Sequence, residues 1–355
     1  MTLQLDFGNI GPVEQAAVNK ALMAGLVSTA TPQVGEFEKR FAEYLDMPDA
    51  VATNSGSAAL HLGLITCGIG PGDEVILPVL TFVATANVVR YVGATPIFVD
   101  VDMGTWTMIP ELVEEAVTSR TKAIMPVHLY GVPCDMGHLY DIANTHNLYV
   151  IEDAAESLGA THLDRQTGTI GDVGCFSFNG NKTMTTSGGG LFVSHDPRKV
   201  WRARCLSIQG RTPEGSQSEV GYNYRMTGMA ASLGLAQFDR FQEFLDIKRN
   251  IHQWYIEALG DHVVFQKAEI HSDPSWWYTA GCFSDEAESI QNKLSGLAIP
   301  TRRVFEPIPY MLPFRNHNRY PNGDYIYKHG LCLPCSTLNT RDDVDRVCKA
   351  IAQFS

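Results

Sequence analysis

Between residues 50 and 178 short apolar runs alternate with longer segments whose apolar residues recur every three or four positions. The runs at 50–52, 74–77, 96–99, 123–127, 148–151 and 173–178 have strand length and are bounded by Gly, Pro, Asp or Asn, so they predict buried strands. The segments at 53–67, 81–92, 109–117 and 136–146 predict helices between them. Upstream, 12–24 predicts a helix with Pro12 suited to its first turn. The segment 35–45 places Phe37, Phe41, Tyr44 and Leu45 on one helical stripe. Such alternation implies a parallel sheet with right-handed crossovers and helices on both faces. Ligands in sheets of this kind sit outside the carboxyl ends of the strands.

The second half reads differently. Residues 211–218 (RTPEGSQS) are polar and turn-rich, as a surface loop would be. From 228 to 259 the chain is apolar-periodic with few breakers, predicting one or two helices that lead into a C-terminal region. That region mixes short strands with helices at 286–297 and 341–354, the last opened by Thr340, Asp342 and Asp343. The division expected is a large domain over 1–244, including an N-terminal arm, and a small α/β domain over 245–355. No internal repeat or low-complexity tract interrupts it.

Candidate chemistry concentrates between residues 152 and 190. One strand ends in Glu152 and Asp153; the next leads into Asn179-Gly180-Asn181-Lys182, then Thr185, Thr186, Ser187 and three glycines. A lysine held away from water loses its proton more easily and can form a Schiff base. A carboxylate facing a pyridine nitrogen keeps that ring protonated, which makes it an electron sink. Asp153 and Lys182 are therefore the two groups that pyridoxal 5'-phosphate (PLP) chemistry requires of a protein. Further upstream, the turn Ser55-Gly56-Ser57 opens a helix, where free N–H groups and the helix dipole favour an anion. Ordinary N-capping by Ser55 or Ser57 explains the same residues.

SFNGNKTMTTSGGG, with EDAAESLG before it and GYNYRMTGMAASLGLAQ after it, strongly resembles the DegT/DnrJ/EryC1/StrS sugar aminotransferases, in particular their perosamine-synthase-like branch. The resemblance runs from about residue 31 to the C-terminus. It implies the aspartate-aminotransferase-like α/β fold (fold type I), with a central mostly parallel sheet and a smaller C-terminal α/β domain. It also implies PLP bound to Lys182, with pyridoxamine phosphate as the alternate form, and Asp153 at the pyridine nitrogen. Gly56, Ser57 and Ser177 would hold the phosphate, and Phe82 would stack on the ring. Glu156 stands where the family commonly has Gln or His near the ring oxygen, so its charge state is open. In the 221–227 motif, Asn223 would reach the phosphate of a partner subunit, which implies a homodimer with shared active sites. Arg225, Arg302 and Tyr310 are candidate substrate contacts. Pro300, Arg303 and Tyr310 depart from the family pattern, which bears on the identity of the sugar more than on the chemistry. The segment 272–281 (SDPSWWYTAG) is also unlike the family and is given no role.

The activity implied is transfer of an amino group from L-glutamate to a GDP- or UDP-linked 4-keto-6-deoxyhexose, giving a 4-amino sugar. A 3-keto-sugar aminotransferase and a catalytically idle PLP-binding regulator are the alternatives. Relatives that dehydrate carry histidine in place of the lysine, and Lys182 argues against that here. A nicotinamide oxidoreductase would need a G-x-G-x-x-G turn, whereas Gly68, Gly70 and Gly72 have the wrong spacing and Pro71 lacks an N–H.

Composition changes this picture little. A net charge of −12 over 355 residues argues against nucleic-acid or anionic-membrane partners. No apolar run reaches the roughly 18–20 residues of a membrane helix, and the N-terminus lacks the pattern of an export signal, so a cytoplasmic enzyme is expected. The eight cysteines are scattered, and the lone C-x-x-C at 332–335 has no second ligand pair; buried thiols rather than a metal or redox site are expected.

Overall fold

In the computed structural model, which describes residues 3–212 and 214–354, the apolar runs meet in one seven-stranded sheet. Residues 1 and 2 of the expected arm, residue 213 of the expected loop and residue 355 lie outside the described residues. The strands are β1 (Ala50–Thr53), β2 (Glu74–Pro78), β3 (Thr95–Val99), β4 (Thr121–Ile124) and β5 (Tyr149–Asp153), then β8 (Val173–Ser177) and β9 (Gly190–Val193). Between β5 and β8 the chain forms a short ribbon of β6 (Thr161–His162) and β7 (Arg165–Gln166). The order across the main sheet is β1-β9-β8-β5-β4-β2-β3, and only β9 runs against its neighbours. Every residue of β1, β2 and β9 is buried, as a sheet covered on both faces requires.

The covering helices are α1 (Pro12–Met23), α2 (Pro32–Tyr44), α3 (Gly56–Thr66), α4 (Ala84–Tyr91), α5 (Pro110–Glu115), α6 (Met136–His146), α7 (Pro197–Ser207) and α8 (Gly228–Phe238). The α2 stripe packs as its spacing predicts, with Phe37 and Phe41 against Phe178 at ring separations of 5.3 and 5.1 Å. α4 begins three residues later than its periodicity suggests. The Thr85 N–H and hydroxyl both donate to the Phe82 carbonyl, so the chain enters α4 through a turn over 82–85 that overlaps its first two residues.

α9 (Phe241–Leu259) is continuous through the expected division at 244/245. Its first turn buries Phe241, Phe244 and Leu245 with the α2 aromatics, while Ile251, Tyr255 and Leu259 belong to a second core. That second core is built on a four-stranded antiparallel sheet, β10 (Val264–Phe265), β12 (Ala280–Cys282), β14 (Gly330–Cys332) and β13 (Arg302–Arg303) in spatial order. Helices α10 (Ala287–Gly296), α11 (Pro321–His329) and α12 (Arg341–Ile351) complete it, and β11 (Ser272–Asp273) leaves it to pair with β6. The N-terminal arm is seated here too. Leu3 is buried in this core, the Cys335 N–H donates to the Leu5 carbonyl at 2.8 Å, and Gln4 and Asn339 bond reciprocally at 3.0 and 2.7 Å.

Gly174 in β8 lies so close to the 168 loop that an added Cβ would stand 1.8 Å from the Gly168 carbonyl oxygen. Backbone cannot yield as a side chain can. Gly174→Ala is therefore expected to destabilise the protein by at least about 2 kcal/mol, through forced separation of β8 from its loop. A melting temperature equal to the parent's would contradict this packing.

Candidate active site

The strand period of two decides which of two adjacent carboxylates faces the site. Glu152 points into the protein, is wholly buried, and accepts bonds from the N–H groups of Gly168, Ile170 and Gly171 and from His128 Nε2 at 2.6–3.0 Å. Burial alone would raise its carboxyl, but these donors outweigh it and hold it below the ordinary range. Cys134 N–H donates to His128 Nδ1 at 3.0 Å, so Nε2 carries the proton given to Glu152. Asp153 points the other way, into a pocket of about 350 Å³ at the carboxyl ends of the strands. Its Oδ2 accepts from Thr85 at 2.7 Å and its Oδ1 from the Ala155 N–H at 3.2 Å. Burial pushes its pKa up, and the Thr85 bond opposes that.

One end of the pocket is formed by the N-terminus of α3. Ser55 caps α3, accepting from the Ala58 N–H at 3.1 Å, and the first-turn amides of Gly56 and Ser57 have no carbonyl of their own helix to bond. Ser177, at the end of β8, faces the same turn. A Cβ on Gly56 would stand 2.9 Å from the Ser177 Cβ, so only glycine allows this approach.

Lys182 stands across the pocket in the loop after β8. Its Nζ lies 3.5 Å from Glu156 Oε1 and 3.5 Å from the centroid of the Trp277 ring, and the side chain is 12% exposed. Burial lowers its pKa; Glu156 first, then Asp153, pull it back up. Glu156 is shifted the other way, raised by burial and lowered in part by Lys182. Its Oε2 accepts the Tyr130 N–H at 2.8 Å. Tyr130 holds that N–H in place at a φ of +56°, a conformation that costs a bulky residue on the order of 1 kcal/mol. Trp277 is fixed by its own indole N–H, which donates to the Asn181 carbonyl at 2.7 Å, one residue before the lysine.

Of the residues singled out in the sequence, Gly56, Ser57, Phe82, Asp153, Glu156, Ser177, Lys182 and Arg302 all line this pocket. Phe82 is 52% exposed, with Phe305 as a ring neighbour at 5.8 Å, which suits a ring stacked by something from outside the chain. Asn223, Arg225 and Tyr310 are not among the pocket-lining residues of this chain. Asn223 is exposed with its carbonyl bonded to Asn54 Nδ2, Arg225 donates to the Thr29 carbonyl at 3.1 Å, and the Tyr310 hydroxyl is bonded to Asp324. Thr85, Trp277 and Phe305 also line the pocket and were not among the candidates. Thr85 was detectable, standing three positions after Phe82 on the same side of a turn. Trp277 and Phe305 come from the C-terminal region, and nothing local in the sequence aims them here. Cys332 and Cys335 are buried; burial raises both thiols, that of Cys335 to about 11. Among the described residues no group of three or more His, Cys, Asp or Glu is arranged to hold a metal ion. No helix among them is long and apolar enough to cross a membrane.

Residues 9–352 match the DegT/DnrJ/EryC1/StrS aminotransferase family. The chain is 40% identical over 338 residues to the GDP-perosamine synthase of Caulobacter vibrioides, an alignment covering 92% of this chain and 91% of the relative. Among solved structures, DesI in the presence of its TDP-sugar product is 31% identical with a TM-score of 0.92, covering 99% of this chain and 92% of DesI. Spr1654 of Streptococcus pneumoniae in its PLP form is 27% identical with a TM-score of 0.93, covering 99% and 98%.

Because Glu156 favours the charged form of Lys182, Glu156→Gln should lower the proton affinity of the amine while keeping an acceptor for Tyr130. The midpoint of Lys182 dinitrophenylation against pH, in cofactor-free enzyme, is expected to fall by roughly one unit or more. A midpoint that does not move would mean that Glu156 carries no charge beside the lysine.

Proposed function

The chain belongs to the DegT/DnrJ/EryC1/StrS aminotransferase family and has the fold of PLP-dependent sugar aminotransferases, and we propose that its substrate is a nucleotide-linked 4-keto-6-deoxyhexose that it aminates with L-glutamate as donor. The observation that carries this reading is the joint placement of Asp153, Lys182 and the N-terminus of α3 around one pocket.

The residues present fit PLP on structural grounds. The α3 amides with Ser57 and Ser177 match a phosphate, and the approach allowed by Gly56 would be filled by any Cβ. Phe82 offers an uncovered ring face. When bound, PLP supplies an electron sink beside the carbon that gains or loses the amino group. Asp153, already carrying two donors, is assigned to hold a proton on the pyridine nitrogen. Lys182 is assigned two tasks, attachment of the cofactor and movement of a proton between the donor's α-carbon and the cofactor's C4′. One amine can be both acid and base when burial brings its pKa down toward neutrality, and burial is the largest influence on Lys182. Trp277, its ring centroid 3.5 Å from that amine, shields it from water. Glu156 is assigned a place beside the cofactor's ring oxygen, where burial raises its pKa and Lys182 opposes the rise.

Arg302 lines the pocket with its guanidinium carbon 4.8 Å from the Phe305 ring. We assign it to an acidic group of the substrate or donor. Arg225 and Tyr310, engaged elsewhere in this chain, are assigned supporting positions. The nucleotide-sugar assignment is supported by the similarity to a GDP-perosamine synthase and by the TDP-sugar product in DesI. Amination at C4 is part of the proposal, with C3 as the alternative. All eight cysteines are free and buried, as suits a reducing cytoplasm.

A homodimer with shared sites is part of the proposal. Asn223 is exposed and outside its own pocket, and α1 leaves Leu22 and Met23 exposed at 54% and 88%, apolar surface that a second copy would cover.

Lys182→Ala is expected to abolish turnover; retained activity would sink the assignment. Complementation tests the sharing. Mixed with Asn223→Ala under subunit exchange, Lys182→Ala should regain about a quarter of parental activity, because half of randomly mixed dimers carry one intact site. No regain would place Asn223 outside the partner's site. To name the sugar, enzyme converted by glutamate to its pyridoxamine form would be freed of donor and offered GDP- and UDP-linked keto-sugars singly. Return of the original spectrum with one of them is the expected result. If glutamate converts the enzyme and no nucleotide sugar reverses it, the sugar reading fails while the transaminase stands.

A further inference from the structure

Behind the pocket lies a second buried charge that the proposed chemistry does not use. Lys248 of α9 is 1% exposed, yet its ammonium has three partners. They are Asp6 Oδ1 at 2.9 Å, the Trp277 carbonyl at 2.9 Å and Cys335 Sγ at 3.7 Å. Asp6 belongs to the N-terminal arm, and its other oxygen, Oδ2, is buried with no hydrogen-bond partner. A buried ion pair is a poor source of stability, since replacement by apolar residues is often neutral or better. Its position therefore calls for another explanation. Lys248 holds the carbonyl of Trp277, and the ring of Trp277 is the surface on which the Lys182 amine rests at 3.5 Å. The same indole is tied to Asn181, next to Lys182. The arm that carries Asp6 is itself seated on residues 335–339.

We propose that Asp6 is a positioning residue for Lys182, acting through Lys248 and Trp277, so that seating of the N-terminal arm sets both the place and the proton affinity of the active-site amine. The charged groups facing the amine are Glu156, Asp153 and Asp6; those beside Asp6 are Lys248 and Lys182, with Tyr278 and Cys335 close enough to feel its charge. Asp6 favours the ammonium form of Lys182, and the Lys248 ammonium 2.9 Å from that carboxylate offsets part of its effect. The carboxylate is the member of the pair that raises the proton affinity of the amine.

This inference rests on Lys182 being the lysine that carries the cofactor. The experiment is a pH titration of the visible absorbance of the holoenzyme, which reports protonation at the Lys182 nitrogen. D6N removes the carboxylate charge and leaves Lys248 cationic, so its midpoint should fall by roughly half a unit or more. D6N/K248M removes both charges, avoids an unpaired buried ammonium, and should show a smaller fall. D6E, which keeps the charge, should stay near the parent. A parental midpoint in the double variant overturns the proposal, even if D6N alone does not fold; so does a parental midpoint in D6N. The two readings fail differently. If Lys182 does not carry the cofactor, K182A keeps the visible band of the bound form. If only the present proposal fails, K182A loses that band and the Asp6 variants titrate as the parent does.

Discussion

A primary amine in water is almost wholly protonated at neutral pH, and the arrangement around Lys182 exists to change that. Burial between the Trp277 ring and Glu156 lowers its pKa, and the neighbouring carboxylates limit how far it falls. Neither influence works unless water is kept out and the carboxylates are kept in place. Much of the surrounding structure serves those two conditions. The strained Tyr130 backbone aims an N–H at Glu156, the Asn181 carbonyl anchors the indole, and Thr85 orients Asp153.

The sheet supplies the distances. Asp153 and Ser177 end neighbouring parallel strands, β5 and β8, and Lys182 follows Ser177 by five residues, so three groups are set by two rigid elements. Glu152 contributes without touching the pocket. Its bonds to three backbone amides and His128 pin the 168–171 loop under β5, and a carboxylate with that many donors is a fixed post rather than a reactive group. Adjacent residues of one type thus have opposite tasks because the strand turns one inward and the other outward.

Most of this sheet was legible in the sequence because its strands are buried on both faces and appear as unbroken apolar runs. The pairing of Asp153 with Lys182 was legible too, since both follow strand ends and the alternation says those ends gather on one side. What lay beyond reach has a common cause. Trp277 and Phe305 enter the site, and Asp6 lies behind it, from segments far away in sequence, and hydrophobic periodicity carries no information on which distant surfaces will meet. The segment 272–281 had no assignable role; it turns out to run from β11, paired to β6, past the Lys182 amine and into β12. The interior of α9 shows the same limitation from another side. A helix of continuous periodicity gives no sign that its first turn belongs to one core and its later turns to another.

The reversed strand β9 has a consequence for how the chain is made. β1 finds its place in the main sheet only through β9, whose residues emerge from the ribosome some 140 positions later. Until then β1 is an apolar strand without a ladder, with both edges open to another chain. The N-terminus of α3 follows directly on β1, so it cannot be finished earlier. The arm waits longer still, because Gln4 bonds to Asn339, 335 residues further along, and Leu5 to Cys335. A segment made before β1 is thus seated after β9, and the pocket waits on both.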